Sequence, residues 1–434
     1  MSEFHKSKLE NGLRVLTVPM KNANSVTVLL LVGTGSKYET KDINGISHFL
    51  EHMFFKGTQK RPNTLAISET LDKIGGQYNA FTSKEVTGFW ARVDKKHADV
   101  ALDWISDIFL NSKFDAEELE REKGVVTEEL NMYLDTPTSY VSELFEELLY
   151  GDTPAGWRIV GEKEIIAKYD RQKLMDYFHS HYSNDNTVLC VAGDINVKEI
   201  EKKMAEYFAN IQVRKAEGKL AVQESQSQPG TLLHYKKTDQ AHFCLGVRAY
   251  NMHDPRRYAL QLMAVMLGGN MSSRLFISVR ERNGLAYYVH TSVDTSTDTG
   301  YLVTQAGIKT DALEKAISLV LAEYRDLRDK EVSAEELQKA KDYIRGSTSL
   351  SLDATDAQAS FYASQEVMGE EVLTPEQKLA MIDQVTISDI KKVAEDIFKD
   401  EKLNLSVIGP FGDSSDHSST SGSEQEKLMK ILKI

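Results

Sequence analysis

The chain has 434 residues, more than a single hydrophobic core usually supports, so at least two domains are expected. It is 41% hydrophobic and 27% charged, without a run of about 18 apolar residues, so no membrane-spanning helix is expected. A formal net charge of −13 argues against nucleic acid and anionic membrane as partners, because both attract a basic surface.

Residues 1–6 contain no apolar stretch of the kind that directs secretion, which suggests a cytoplasmic location. The pattern then predicts strands over 13–18, after the turn signal Asn11-Gly12, and over 25–32, which is rich in β-branched residues. Gly33, Gly35 and the polar stretch 37–44 read as a loop. A helical stretch entered at 45–47 runs through 55, and another over 64–74 stops at Gly75-Gly76. Strands at 79–82 and 87–93 precede helices at 97–110, 116–134 and 139–149. A strand at 187–194 and a helix at 197–209 close the first half. Cys190 and Cys244 lie in apolar, strand-like runs and read as buried reduced thiols.

Residues 213–230 are polar and form the best linker candidate. A similar order of elements then returns. Strands near 231–236 and 242–249 precede a helix at 258–267, strands at 287–293 and 300–306, helices at 311–328, 334–349 and 356–368, and a last strand at 403–409. Ala116-Glu117-Glu118-Leu119 recurs 218 residues later as Ala334-Glu335-Glu336-Leu337. The closing strands of the two halves, ending at Gly193 and Gly409, are offset by 216. A duplicated domain explains both offsets. The expected domains are therefore 1–212 and 231–411, joined by 213–230 and followed by a tail, 412–434. That tail is of low complexity over 412–424 and has a short amphipathic segment at 427–434.

The residues that carry chemistry are His48-Phe49-Leu50-Glu51-His52. His48 and His52, at i and i+4, share one helix face and can reach one metal ion. A catalytic zinc takes three protein ligands and keeps one position open for water. Glu51, at i+3 from His48 and directly before His52, lies close to the same face and is placed to touch that water and take its proton. This is the inverted form of the zinc-peptidase motif. A third ligand must come from elsewhere. On the acidic helix 116–134, Glu122 and Glu129 are seven apart and share a face with Val125. One carboxylate there can ligate while the other orients a histidine, but spacing alone does not choose Glu129 over Glu128.

Three segments together resemble the pitrilysin-type family of zinc peptidases. They are 45–58 (Gly-Ile-Ser-His-Phe-Leu-Glu-His-Met-Phe-Phe-Lys-Gly-Thr), 76–82 (Gly-Gln-Tyr-Asn-Ala-Phe-Thr) and 121–129 (Arg-Glu-Lys-Gly-Val-Val-Thr-Glu-Glu). The resemblance covers residues 7–411. It is nearest to the short two-domain branch that includes mitochondrial processing peptidase β-subunits and bacterial processing-protease-like enzymes. It implies a third metal ligand about 77 residues after the second histidine, which selects Glu129, with Glu122 as the residue supporting the ligands. It implies that the strand of Asn79, Ala80 and Phe81 pairs with the substrate backbone, and that Arg280 and Tyr287 bind the substrate carbonyl and its oxyanion.

The second half has no metal motif. Ala264-Val265-Met266-Leu267-Gly268 stands in place of the histidines and Ser347 in place of Glu129, so one zinc per chain is expected. The short Leu267-Gly268-Gly269-Asn270 segment differs from the long glycine-rich loop of the α-type processing subunit. The resemblance implies an α+β fold: two homologous domains, each an antiparallel sheet flanked by helices, forming a clamshell around a chamber. It implies a zinc endopeptidase acting on peptides or unfolded segments, as a homodimer or a heterodimer with a related subunit. The alternatives are a non-catalytic core or assembly subunit, or a peptide-binding protein, of the same fold.

Overall fold

The apolar runs become the buried strands of two sheets in the computed structural model, which describes residues 4–411 and 422–434. In chain order the elements are β1 (His5–Lys8), β2 (Arg14–Pro19), β3 (Ser25–Val32), α1 (Ile46–Met53), α2 (Thr64–Asp72), β4 (Gln77–Thr82), β5 (Thr87–Asp94), α3 (Ala98–Asn111), α4 (Ala116–Asp135) and α5 (Pro137–Tyr150). Next come α6 (Lys163–Ile166), α7 (Arg171–His181), β6 (Thr187–Gly193), α8 (Val197–Tyr207), β7 (Gly230–Tyr235), β8 (Gln240–Arg248), α9 (Arg257–Gly268), β9 (Ala286–Thr295) and β10 (Gly300–Lys309). The chain ends with α10 (Leu313–Asp329), α11 (Ala334–Ser351), α12 (Thr355–Val367), α13 (Pro375–Gln384), α14 (Ile387–Ile397), β11 (Leu403–Gly409) and α15 (Gly422–Ile431). Among the described residues, no helix is long and apolar enough to cross a membrane.

The chain divides into two compact units. Unit 1 holds the six-stranded sheet β1-β2-β6-β3-β5-β4, and unit 2 the five-stranded sheet β7-β11-β8-β10-β9. Neither sheet is wholly antiparallel as expected, since β2 runs parallel to β6 and β7 parallel to β11. Both pairs join strands far apart in the chain, where the connection is long enough for a parallel crossover.

The units are not the contiguous halves 1–212 and 231–411. The break in the linker falls between Leu220 and Ala221, and each half contributes one segment to the other unit's fold. In unit 2, α5 packs Tyr140, Val141, Leu144 and Phe145 against Cys244, Tyr301 and Ile408. In unit 1, α12 packs Ala359, Tyr362 and Ala363 against Leu16, Leu29, Leu31 and Cys190. The cause is visible in β6 and β11, which are buried along their whole length and so need cover on both faces. Each sheet needs a helix on the face its own neighbouring helices leave bare.

Several elements were not expected: β1, α6, α7, α13 and α14. Helix α7 buries only Leu174, Tyr177 and His181, a stripe too narrow to stand out in the sequence. The amphipathic tail segment 427–434 overlaps the end of α15, with Leu428 in the helix and Leu432 just after it buried in the core of unit 2. The low-complexity stretch, as far as residue 421, lies outside the described residues. Both cysteines are free and buried.

Candidate metal centre

Helix α1 is eight residues long and turns Ile46, Phe49, Leu50 and Met53 into the core, each fully buried. That leaves His48, Glu51 and His52 for the opposite side. Directly after the helix, Phe54 sits among Phe89, Phe114, Phe178 and Tyr182 at ring-centroid distances of 4.8–5.8 Å, which fixes the helix end in an aromatic cluster. At the entry, Gly45 has φ +96°, and a Cβ there would lie 2.4 Å from the Val160 carbonyl oxygen, so only glycine fits.

Helix α4 buries Leu119, Glu122, Val126 and Leu130. This stripe separates the two candidates that spacing left open: Glu128 is exposed, whereas Glu129 turns to the histidines. The Glu129 carboxylate lies 3.6 Å from His48 Nε2 and 3.3 Å from His52 Nε2. His48, His52 and Glu129 are the one group among the described residues whose donor atoms converge within 4.8 Å as metal ligands would. Two imidazole nitrogens and a carboxylate suit zinc, and they leave a fourth tetrahedral position free.

The surrounding groups hold this set in place. Glu122 Oε1 lies 2.8 Å from His52 Nδ1, and Lys56 Nζ reaches Glu122 Oε2 at 2.5 Å. A carboxylate on Nδ1 turns Nε2 toward the point where the three donors converge. Burial pulls the His52 ring down, but the carboxylates of Glu122 and Glu129 outweigh it and raise its pKa to about 9. Burial would raise Glu122, but His52 and Lys56 prevail and hold it below the usual carboxylate range. Hydrogen bonds from the two histidines drive Glu129 far below that range.

Glu51 behaves in the opposite way. Burial raises its pKa, against the Thr82 hydroxyl, which donates to Glu51 Oε2 at 2.7 Å. A carboxylate that holds a proton more readily is suited to general base work. Lys56 and Thr82 were not singled out from sequence. Signals for both existed: Lys56 is one turn beyond His52, and alternation along β4 puts Thr82 on the same face as Ala80 and Tyr78.

Thr82 ends β4, the outer strand of the unit 1 sheet, which pairs with β5 on one side only. Asn79, Ala80 and Phe81 are therefore on an edge, with Asn79 and Phe81 exposed. The Ala80 N–H donates to Asn79 Oδ1 at 2.9 Å. Arg280 and Tyr287 are in unit 2 and adjacent to each other. Arg280 is the last residue but one of a π-helical turn (Phe276–Glu281), with its guanidinium 4.7 Å from the Phe276 ring centre and 5.7 Å from that of Tyr287. Tyr287 is 78% exposed on the edge strand β9 and so is not a core aromatic. The segment 264–268, which stands in place of the histidines, lies in α9.

Two family models match the chain. Insulinase (peptidase family M16) matches residues 14–163, and the peptidase M16 inactive domain matches residues 168–344. A Bacillus subtilis protein named as an uncharacterized zinc protease is 36% identical over 93% of this chain and 97% of its own length. The chain belongs to peptidase family M16. Among solved structures, a protease from Helicobacter pylori shares the M16 fold with a TM-score of 0.88 at 22% identity, covering 94% of this chain and 100% of its own. A chain from complex III2 of Candida albicans does so with a TM-score of 0.81 at 19% identity, covering 99% and 100%. The fold of this M16 chain is therefore one that proteases and a chain of complex III2 share.

Proposed function

We propose that the chain is a zinc-dependent endopeptidase that hydrolyses peptides or unfolded segments. The observation that carries this reading is the convergence of His48, His52 and Glu129 beside a Glu51 braced by Thr82. When bound, zinc supplies Lewis acidity, which polarises a carbonyl and acidifies water. His48 Nε2, His52 Nε2 and a Glu129 oxygen would hold it, one ion per chain. Glu122, held by Lys56, keeps the His52 ring in the ligating orientation.

Glu51 takes the proton of the attacking water and returns it to the leaving amine. Thr82 occupies Oε2 of Glu51 and leaves Oε1 for that proton. The open edge at Asn79, Ala80 and Phe81 receives the peptide as an added strand, so affinity comes mainly from main-chain bonds. Arg280 and Tyr287 bind the substrate carbonyl and stabilise its oxyanion. The assembly in this reading is a homodimer or a heterodimer with a related subunit.

A non-catalytic core or assembly subunit is the second reading, favoured by the likeness to the complex III2 chain. The complete ligand set supports the first. A quenched fluorogenic peptide, tested with and without chelator, separates them. The expected result is cleavage that chelation abolishes, zinc restores and Glu51→Gln removes. Cleavage that survives both chelation and Glu51→Gln would sink the mechanism.

A further inference from the structure

We infer that Glu39 is a positioning residue of this site: its buried carboxylate caps α1 from a distance and thereby registers His48 and Glu51 against β4. The inference rests on the metal reading above.

Helix N-termini leave backbone N–H groups unpartnered, and a local Ser, Thr, Asp or Asn side chain usually meets one of them. Among the described residues, Asn63, Asp115, Asp170, Asn196, Ser333 and Thr386 follow that rule at α2, α4, α7, α8, α11 and α14. α1 does not, because its cap position is the obligatory Gly45. Glu39, six residues earlier, takes over. Its Oε2 accepts from the Gly45 N–H at 2.7 Å and from Asn44 Nδ2 at 3.1 Å, and its Oε1 accepts from the Ser47 N–H at 2.9 Å. Glu39 is 2% exposed, and its hydrogen-bond partners are all neutral. A buried carboxylate without a cation is costly, so its presence calls for a reason.

The same segment holds the other side of the site. The Ser36 N–H donates to the Ser83 carbonyl at 3.2 Å and the Lys37 N–H to the Lys84 carbonyl at 2.9 Å. The buried Lys37 and Glu85 pair at 2.8 Å. These bonds grip the turn that follows Thr82, the partner of Glu51. Residues 36–39 therefore touch both the entry of the helix bearing Glu51 and the end of the strand bearing Thr82. In an eight-residue helix, a shift at Ser47 is passed directly to His48.

The test compares Glu39→Ala and Glu39→Gln with the wild-type chain at about pH 8. Zinc affinity is read by competition with a chromogenic chelator, and kcat and KM with a quenched peptide. Glu39→Ala is expected to weaken zinc binding ~10-fold or more, as losses of ligand-supporting groups do, and to lower kcat ~10-fold with KM within about twofold. Glu39→Gln keeps the length and one acceptor oxygen and should lie between the two. Zinc affinity and kcat within about twofold of wild type in both variants would overturn the inference, as would a change confined to KM. If Glu39→Ala does not fold, Glu39→Gln decides on the same criteria. A wild-type chain that binds zinc but cleaves nothing would fail the proposed function, and the zinc measurement would still test Glu39.

Discussion

Glu39→Gln should also change how stability depends on pH, and the size of the change follows from the site. Burial raises the Glu39 carboxyl from 4.5 to about 7, against the pull of the Gly45 and Ser47 N–H groups. The folded chain thus binds this proton more tightly than the unfolded chain. The associated stability is complete below pH 4.5 and is lost as pH rises through about 7. The span corresponds to about 3 kcal/mol, of which about 2.5 kcal/mol disappears between about pH 5 and about pH 8. A glutamine carries no charge at either pH and removes this dependence. The assay is urea unfolding of the metal-free chain followed by tryptophan fluorescence. All three tryptophans, Trp90, Trp104 and Trp157, belong to unit 1, so the signal reads that unit alone. The stability of Glu39→Gln relative to wild type should rise by about 2.5 kcal/mol from the lower to the higher pH. A difference constant to within about 0.5 kcal/mol would show that Glu39 does not titrate as its burial requires.

Three further outcomes are expected. Thr82→Val keeps the shape but removes a hydroxyl bond to a carboxylate, worth about 1.5–3 kcal/mol. It should lower kcat ~10-fold or more with little effect on KM, and an unchanged kcat would rule out Thr82 as a brace for Glu51. Phe54→Ala opens a cavity among Phe89, Phe114, Phe178 and Tyr182 and should cost unit 1 about 3–5 kcal/mol in the tryptophan-monitored transition; a loss below about 1 kcal/mol would contradict the packing. With His52 raised to about 9, zinc must displace its proton at neutral pH, so calorimetry in buffers of different ionisation enthalpy should find about one proton released per ion near pH 7.5, and affinity should rise with pH up to about 9; proton-independent binding would show that Glu122 and Glu129 do not hold His52 protonated in the metal-free chain.

What the sequence reveals about this site depends on whether a residue's role leaves a periodic trace. His48 and His52 do so at i and i+4, and Glu122 and Glu129 at i and i+7, so the face that each helix turns to the candidate site is legible. Glu128 and Glu129 are not separable by spacing, because the choice depends on which stripe of α4 is buried. That stripe runs through Leu119, Val126 and Leu130. Most strands were legible from their apolar runs. The parallel pairing of β2 with β6, and the places of α5 and α12, were not. Several helices here carry comparable apolar stripes, and which sheet face each covers is decided by the whole fold.

Glu39 shows why a polar run need not mean a solvated loop. Residues 37–44 have loop composition, yet Lys37, Glu39 and Asn44 are buried. A buried polar residue that works through backbone N–H groups has no partner at a fixed spacing, so no period marks it. The trace it leaves is indirect. Gly45 stands where a helix entry normally carries Ser, Thr, Asp or Asn. A helix without its local cap still has N–H groups to satisfy, and the acceptor must come from nearby chain. In the loop before α1 the carboxylates are Glu39 and Asp42, and Asp42 accepts instead from the Thr40 hydroxyl at 2.7 Å. Glu39 is left to meet the helix, so a glycine at the cap of a helix that carries candidate metal ligands is itself a reason to search the preceding loop for a buried carboxylate.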